Sequence, residues 1–284
     1  DTGAGITEPD PHPADEVLQN KYGDSKDRTV LLITMLREAG LRVYPALTSR
    51  KGIAAPVDEQ YPSLFFSYVV AFLQLASAQR RPAGNYTVES GELSAFEEPA
   101  PITETFLDPG AGNCTFGDIP PELQGRKVLL LTEKSYQFVF IPLLPAEHNR
   151  TKIKLDLNIK SDESVTGTEA ILPGGSYEQT LRAWLKNISP AAVNTTLANE
   201  LNYLIPRLSA TNIKSTAAAD LTLPIRIKCD LSAPRVFIDA GTIRLIPRLS
   251  SFNTDLISQK TRVYPIDLQL LTQKNITITM QLPA

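Results

Sequence analysis

A chain of 284 residues with 42% hydrophobic and 21% charged side chains has globular composition, which excludes disorder or a fibrous repeat as a description of the whole. A net charge of −3 and a pI of about 5.6 leave no basic footprint for nucleic acid, and two cysteines are too few for a disulfide scaffold. The charge is uneven: 13 Lys and Arg face 20 Asp and Glu in residues 1–150, against 15 and 11 in residues 151–284.

Residues 1–14 are rich in Gly, Pro and acid and read as irregular chain. The chain opens at Asp1 with neither Met nor a signal peptide, so it reads as processed or trimmed. A short helix is expected over Ala14–Lys21, then a turn at Tyr22-Gly23-Asp24-Ser25 leading into a second helix with Asp24 as N-cap. Leu32, Met35, Leu36 and Ala39 fall at i, i+3, i+4 and i+7 and predict its buried face. Gly40 stops it, and a strand follows over Leu41–Ser49.

Leu64–Ala76 reads as a strand, residues 77–101 as polar chain with a hairpin near Asn85–Ser90, and Thr105–Leu107, Lys127–Thr132 and Phe138–Ile141 as further strands. The longest apolar stretches, around Val30–Leu36 and Val69–Leu75, are too short to cross a bilayer. A boundary is expected near Pro145–Arg150, giving units 1–147 and 148–284. Beyond it, Ile153, Leu155, Leu157 and Ile159 alternate with polar residues, as in a half-buried antiparallel strand. Tyr177, Leu181, Trp184, Leu185 and Ile188 share one helix face. Val193, Leu197, Leu201, Leu204 and Ile205 share another, with Pro190 between the helices and Pro206 after them. Ile225–Leu231, Ile243–Ile246, Ile266–Leu270 and Ile276–Leu282 read as strands, so the fold class is α+β, ending in an antiparallel β domain with an inserted helical pair. Leu-Ile-Pro-Arg-Leu-Ser occurs at 204–209 and 245–250 with different flanks and is read as coincidence.

Few catalytic constellations are open to a chain with two histidines, His12 and His148. The informative segment is Val17-Leu18-Gln19-Asn20-Lys21-Tyr22-Gly23-Asp24-Ser25-Lys26-Asp27, followed by a helix and Leu-Arg-Glu-Ala-Gly. It resembles the core of bacterial transglutaminase-like proteins, in which a Gly-Asp-Cys-Lys-Asp motif sets a nucleophilic Cys at a helix N-terminus. Ser25 stands where that family has Cys. A helix N-terminus makes a thiolate available near neutrality. A serine hydroxyl needs a neighbouring base.

The family's base is a His in a Phe-Asn-His-Val type sequence. Here that stretch is Phe65-Phe66-Ser67-Tyr68-Val69-Val70, with Tyr68 at the His position and Ser67 the alternative register. Neither is a neutral-pH base. The family's Asp lies in a Leu-Asp-Pro turn, matched by Asp108 in Phe106-Leu107-Asp108-Pro109. The following Phe116–Arg126, Arg262–Leu268 and Leu282-Pro283 resemble the branch in which a β-rich domain follows the core.

The resemblance thus implies a papain-like core with remnant triad positions Ser25, Tyr68 and Asp108. It implies a non-catalytic module used in binding or assembly, exported to a periplasmic or cell-surface setting. Its ligand would be a protein, peptide or glycan, and an N-terminal domain of the same protein is expected upstream. An acyl transferase or peptidase carrying an inactivating Cys-to-Ser change is the alternative. In a third reading the β domain binds a glycan or protein and the core is scaffold.

No metal or cofactor is expected. His12 would need metal-ligating partners from elsewhere, and His148 would have to fold back toward Ser25. Cys114, shortly after Asp108, reads as a free structural thiol and Cys229 as buried packing. Ser25 is not in a Gly-x-Ser-x-Gly elbow, and no phosphate, zinc or calcium motif is present.

Overall fold

The computed structural model describes residues 10–50, 66, 68–75, 104–189, 191–193, 195–196, 207–235, 238–240, 243–245, 261 and 270–283. It is an α+β protein whose chain separates into two compact units, Asp1–Leu143 and Leu144–Ala284. Several expectations lie outside the described residues: the hairpin near 85–90, Ser67, most of the strand at 266–270, the helix beyond 196, and half of the first and most of the second copy of the six-residue repeat. Among the described residues no helix is long and apolar enough to cross a membrane.

In the first unit α1 (Ala14–Asn20) and α2 (Ser25–Glu38) precede β1 (Arg42–Thr48). With β2 (Tyr68–Gln74), β3 (Glu104–Leu107), β4 (Lys127–Leu131) and β5 (Tyr136–Phe140), β1 forms an antiparallel sheet of order β3-β2-β1-β4-β5. β2 is buried from Tyr68 to Leu73, as its unbroken apolar run requires of a central strand. Asp24 caps α2 reciprocally with Asp27, which satisfies backbone donors that the first turn cannot pair internally. At the other end Gly40 takes φ +78°, a left-handed conformation that ends the helix without a Cβ clash, and Leu41 N donates to Leu36 O.

The buried stripe of α2 differs from the expected one. Met35 is 57% exposed and Ala39 is exposed, whereas Ile33, with half-buried Leu32 and Leu36, packs on Val43, Ala71 and Leu73. Thr29 rotates the stripe. It is fully buried, and its hydroxyl donates both to Ser25 O (2.8 Å) and across to Val69 O of β2 (3.2 Å). A polar residue that finds two carbonyls can hold an inward position that hydrophobic periodicity alone would not assign.

The second unit comprises β6 (Arg150–Ile159), β7 (Val165–Pro173), α3 (Ser176–Asn187), β8 (Ser209–Ser215), β9 (Ile227–Ala233), β10 (Ile238–Ala240), β11 (Ile243–Leu245) and β12 (Gln273–Gln281). Its sheet has the order β12-β6-β7-β9-β8, and β10 and β11 pair separately. The expectation of an antiparallel domain is corrected here: β12 runs parallel to β6, so the sheet is mixed. Alternating burial reports which face of a strand is covered and is the same for either strand direction.

The alternating apolar residues of β6, Leu155, Leu157 and Ile159, meet Cys229, Leu231 and Ala233 of β9 in one core. Leu181, Trp184 and Leu185 of α3, with Ile188 just after it, pack with Ile171, Ile225 and Ile227, as their spacing predicts. The deepest side chains of α3 are nevertheless polar. Arg182 is fully buried and pairs with Glu178. It also donates to the carbonyls of Ala218 (3.0 Å), Asp220 (2.8 Å) and Leu223 (2.5 Å), while Glu178 accepts from Ile225 N (3.2 Å). This clamp fixes the connection into β9. Of the expected second helix, residues 191–193 and 195–196 are helical.

Candidate functional site

Ser25 is the first residue of α2, immediately after the Asp24 cap. Asp24 Oδ1 accepts from Lys26 N (2.7 Å) and Asp27 N (3.1 Å), and Asp27 Oδ2 accepts from Asp24 N (3.0 Å). His12 closes this turn from outside, its backbone N–H donating to Asp27 Oδ1 at 2.9 Å and its ring Nδ1 lying 3.2 Å from Oδ2. Burial works against ionising Asp27, but the hydrogen bonds from His12 and Asp24 outweigh it and hold the carboxyl below the usual carboxylate range. His12 is thus placed with a helix cap, and among the described residues no three His, Cys, Asp or Glu side chains converge to hold a metal.

Tyr68 opens β2, opposite Thr48 of β1. Asp108 directly follows β3, whose Leu107 pairs with Ala71 of β2. The two side chains meet: Tyr68 O–H donates to Asp108, 2.7 Å from Oδ1 and 2.9 Å from Oδ2, and Gly110 N donates to Oδ1 at 2.8 Å. Gly110 locates the third member. A Cβ added there would lie 2.5 Å from the Tyr68 oxygen, 3.0 Å from Asp108 Oδ1 and 3.7 Å from Ser25 Cβ. One point therefore touches Ser25, Tyr68 and Asp108, and a side chain there would have to displace the phenol. The tie from Thr29 to Val69, one residue beyond Tyr68, anchors the first turn of α2 against this end of β2.

A fourth residue, Arg50, completes the cluster. Its guanidinium stacks 3.9 Å over the Tyr68 ring, Nη2 donates to the Tyr68 oxygen, and the same nitrogen lies 4.0 Å from Asp108 Oδ2. Arg50 Nε is buried and, among the described residues, has no hydrogen-bond partner. Sequence reasoning passed over Arg50 because it lies beyond the motif. No local signal marks it: the observed register, with Thr48 opposite Tyr68, brings the residue just past β1 alongside the phenol.

The electrostatics keep the phenol protonated. Burial, then the adjacent Asp108 charge and hydrogen bond, push the Tyr68 phenol far above its ordinary value, and Arg50 only partly offsets them. Burial also raises Asp108, against the lowering effect of its hydrogen bonds from Tyr68 and Gly110 and of the Arg50 charge. Ser25 Oγ has no hydrogen-bond partner among the described residues.

Cys114 is half-buried nearby. Burial and the charges of Asp118, Asp108 and Glu122 drive its thiol strongly upward, so it stays protonated near neutrality. Cys229 is buried in the second unit beside Glu169, its thiol pushed up to about 12 by burial and that carboxylate. His148 belongs to the second unit and packs against Gly174 and Gly175 ahead of α3. No family model, curated protein or solved structure matches this chain.

Proposed function

We propose that the chain is a degenerate transglutaminase-like module with a papain-like core, which acts by binding or assembly rather than by catalysis. The observation that carries this reading is the hydrogen bond from Tyr68 to Asp108 beside Ser25. In acyl transfer through a Cys-His-Asp arrangement, the middle residue takes the nucleophile's proton while the carboxylate orients it. Here the middle residue is a phenol that holds its own proton and gives the hydrogen bond to Asp108. Arg50 occupies the ring face and donates to the phenol oxygen, the atom that would have to accept. Two of three chemical roles are vacant together, which supports a lost activity over a single inactivating Cys-to-Ser change.

An exported, periplasmic or cell-surface setting, with a protein, peptide or glycan ligand, goes with this reading through the family resemblance. The test is amine incorporation into a glutamine peptide and hydrolysis of the same peptide, each compared with Ser25→Ala. Both reactions are expected to stay at the uncatalysed level. A rate that Ser25→Ala abolishes overturns the proposal.

A further inference from the structure

The two edges of the second unit's sheet are built differently. β8 is interrupted: its register against β9 shifts between Thr211 and Lys214, and Asn212 takes φ +51°. Such irregularities blunt an edge against pairing with another strand. β12 at the opposite edge pairs with β6 without a break over nine residues, from Gln273 to Gln281. It contains no proline and one charge, Lys274, near its start. Among the described residues no strand pairs with its outer side. Ile276, Ile278 and Met280 pack inward on the core of Leu155 and Leu157 and remain half-exposed.

The chemistry of this edge reads the same in both directions about Ile278. Asn275-Ile276-Thr277-Ile278-Thr279-Met280-Gln281 runs amide, apolar, threonine, apolar, threonine, apolar, amide. The geometry points to a second copy of this chain as the occupant, with β12 pairing antiparallel to its own counterpart about a two-fold axis at Ile278. In that register Ile278 faces Ile278, Ile276 faces Met280, Thr277 faces Thr279, Asn275 faces Gln281, and Lys274 faces Leu282. Every apolar side chain from 276 to 280 falls on the core side of both sheets, each threonine meets a threonine on the other side, and no like charges are opposed. A shift by one residue sets Asn275 against Met280 and Ile276 against Thr279, so the chemistry selects the axis. An interface of one strand edge is small, and the expected association is of micromolar strength.

The experiment uses the full chain and two variants. Thr277 and Thr279 are exposed, beside Lys154 and Asp156 of β6, so Thr277→Lys/Thr279→Lys and Thr277→Glu/Thr279→Glu leave the core untouched. Sedimentation equilibrium, from micromolar to about a tenth of a millimolar, is expected to show a monomer–dimer equilibrium for the parent chain. Each variant sets like charges opposite each other across the axis, and its dimer is expected to be about tenfold weaker or more. Mixing the two variants in equal parts should restore a heterodimer. A parent chain that stays monomeric overturns the inference, as does growth beyond a dimer or a dimer indifferent to both charge changes. Should a variant fold poorly, amide exchange of the parent chain decides. Protection of residues 275–281 should rise with protein concentration, and concentration-independent exchange there overturns the pairing.

Discussion

At the scale of single residues, Arg50, Tyr68, Asp108 and Gly110 form a hydrogen-bond chain beside Ser25. Arg50 donates to the phenol, and the phenol and Gly110 donate to the carboxylate. Its chemistry can be reversed. In Ser25→Cys/Tyr68→His an imidazole would stand beside a thiol at the N-terminus of α2, with Asp108 to orient it. Helix end and imidazolium both favour a thiolate, so the introduced thiol should titrate well below the free value of about 8.5. Arg50, stacked 3.9 Å over the Tyr68 ring, would oppose the imidazolium. The further change Arg50→Gln is therefore expected to lower the thiol again. The pH dependence of iodoacetamide alkylation, compared across Ser25→Cys and the double and triple variants, reads this directly. Identical ordinary titration in all three would mean that residue 68 does not face the thiol. Cys114, with its thiol raised by burial and three carboxylates, should react slowly throughout and serve as an internal reference.

At the scale of elements, the start of α2 and the interior of α3 each rest on a charged group that can be tested. Asp27 has its acidity strengthened in the folded chain, so it binds a proton less readily there than when unfolded. Its stabilising contribution is fully present above the unfolded value near 4 and is lost as pH falls through the lower folded value. Asp27→Asn is accordingly expected to cost about 1 kcal/mol at pH 7, the scale of a capping interaction. That difference should shrink toward zero as the pH drops below about 4. Urea denaturation of both chains over this range measures it, and a pH-independent difference would assign the loss to packing instead.

Arg182 poses the opposite case, a cation with no solvent exposure whose partners include Glu178 and three carbonyls. Arg182→Met removes the charge that balances buried Glu178 in that clamp and leaves the carbonyls of the 218–223 segment without this donor. The expected loss is about 3–5 kcal/mol, the scale of breaking one side of a buried pair. Adding Glu178→Gln should recover part of it, because the anion that Arg182 balances is gone. Urea midpoints of the single and double variants separate lost pairing from lost volume.

At the scale of the whole molecule, the chain holds two units, each with its own five-stranded sheet and core. Much of this was legible without coordinates because it rests on local physics. The cap at Asp24, the stop at Gly40, the alternation through β6 and β9 and the apolar spacing of α3 are set within a few residues of chain. The same holds for the identities Ser25, Tyr68 and Asp108, which put neither a thiol nor an imidazole at those three positions.

What only the tertiary structure decided depends on partners far away along the chain. Thr29 turned the buried face of α2 from Met35 toward Ile33 because a carbonyl 40 residues on, at Val69, was there to receive it. Arg182 became interior because carbonyls at 218, 220 and 223 converge on it, and Arg50 joined the candidate site because β1 and β2 pair in one register. The parallel placement of β12 beside β6 was open for the same reason. Alternation records that one face of a strand is buried, while direction, neighbour and the satisfaction of a buried polar group are properties of the assembled sheet.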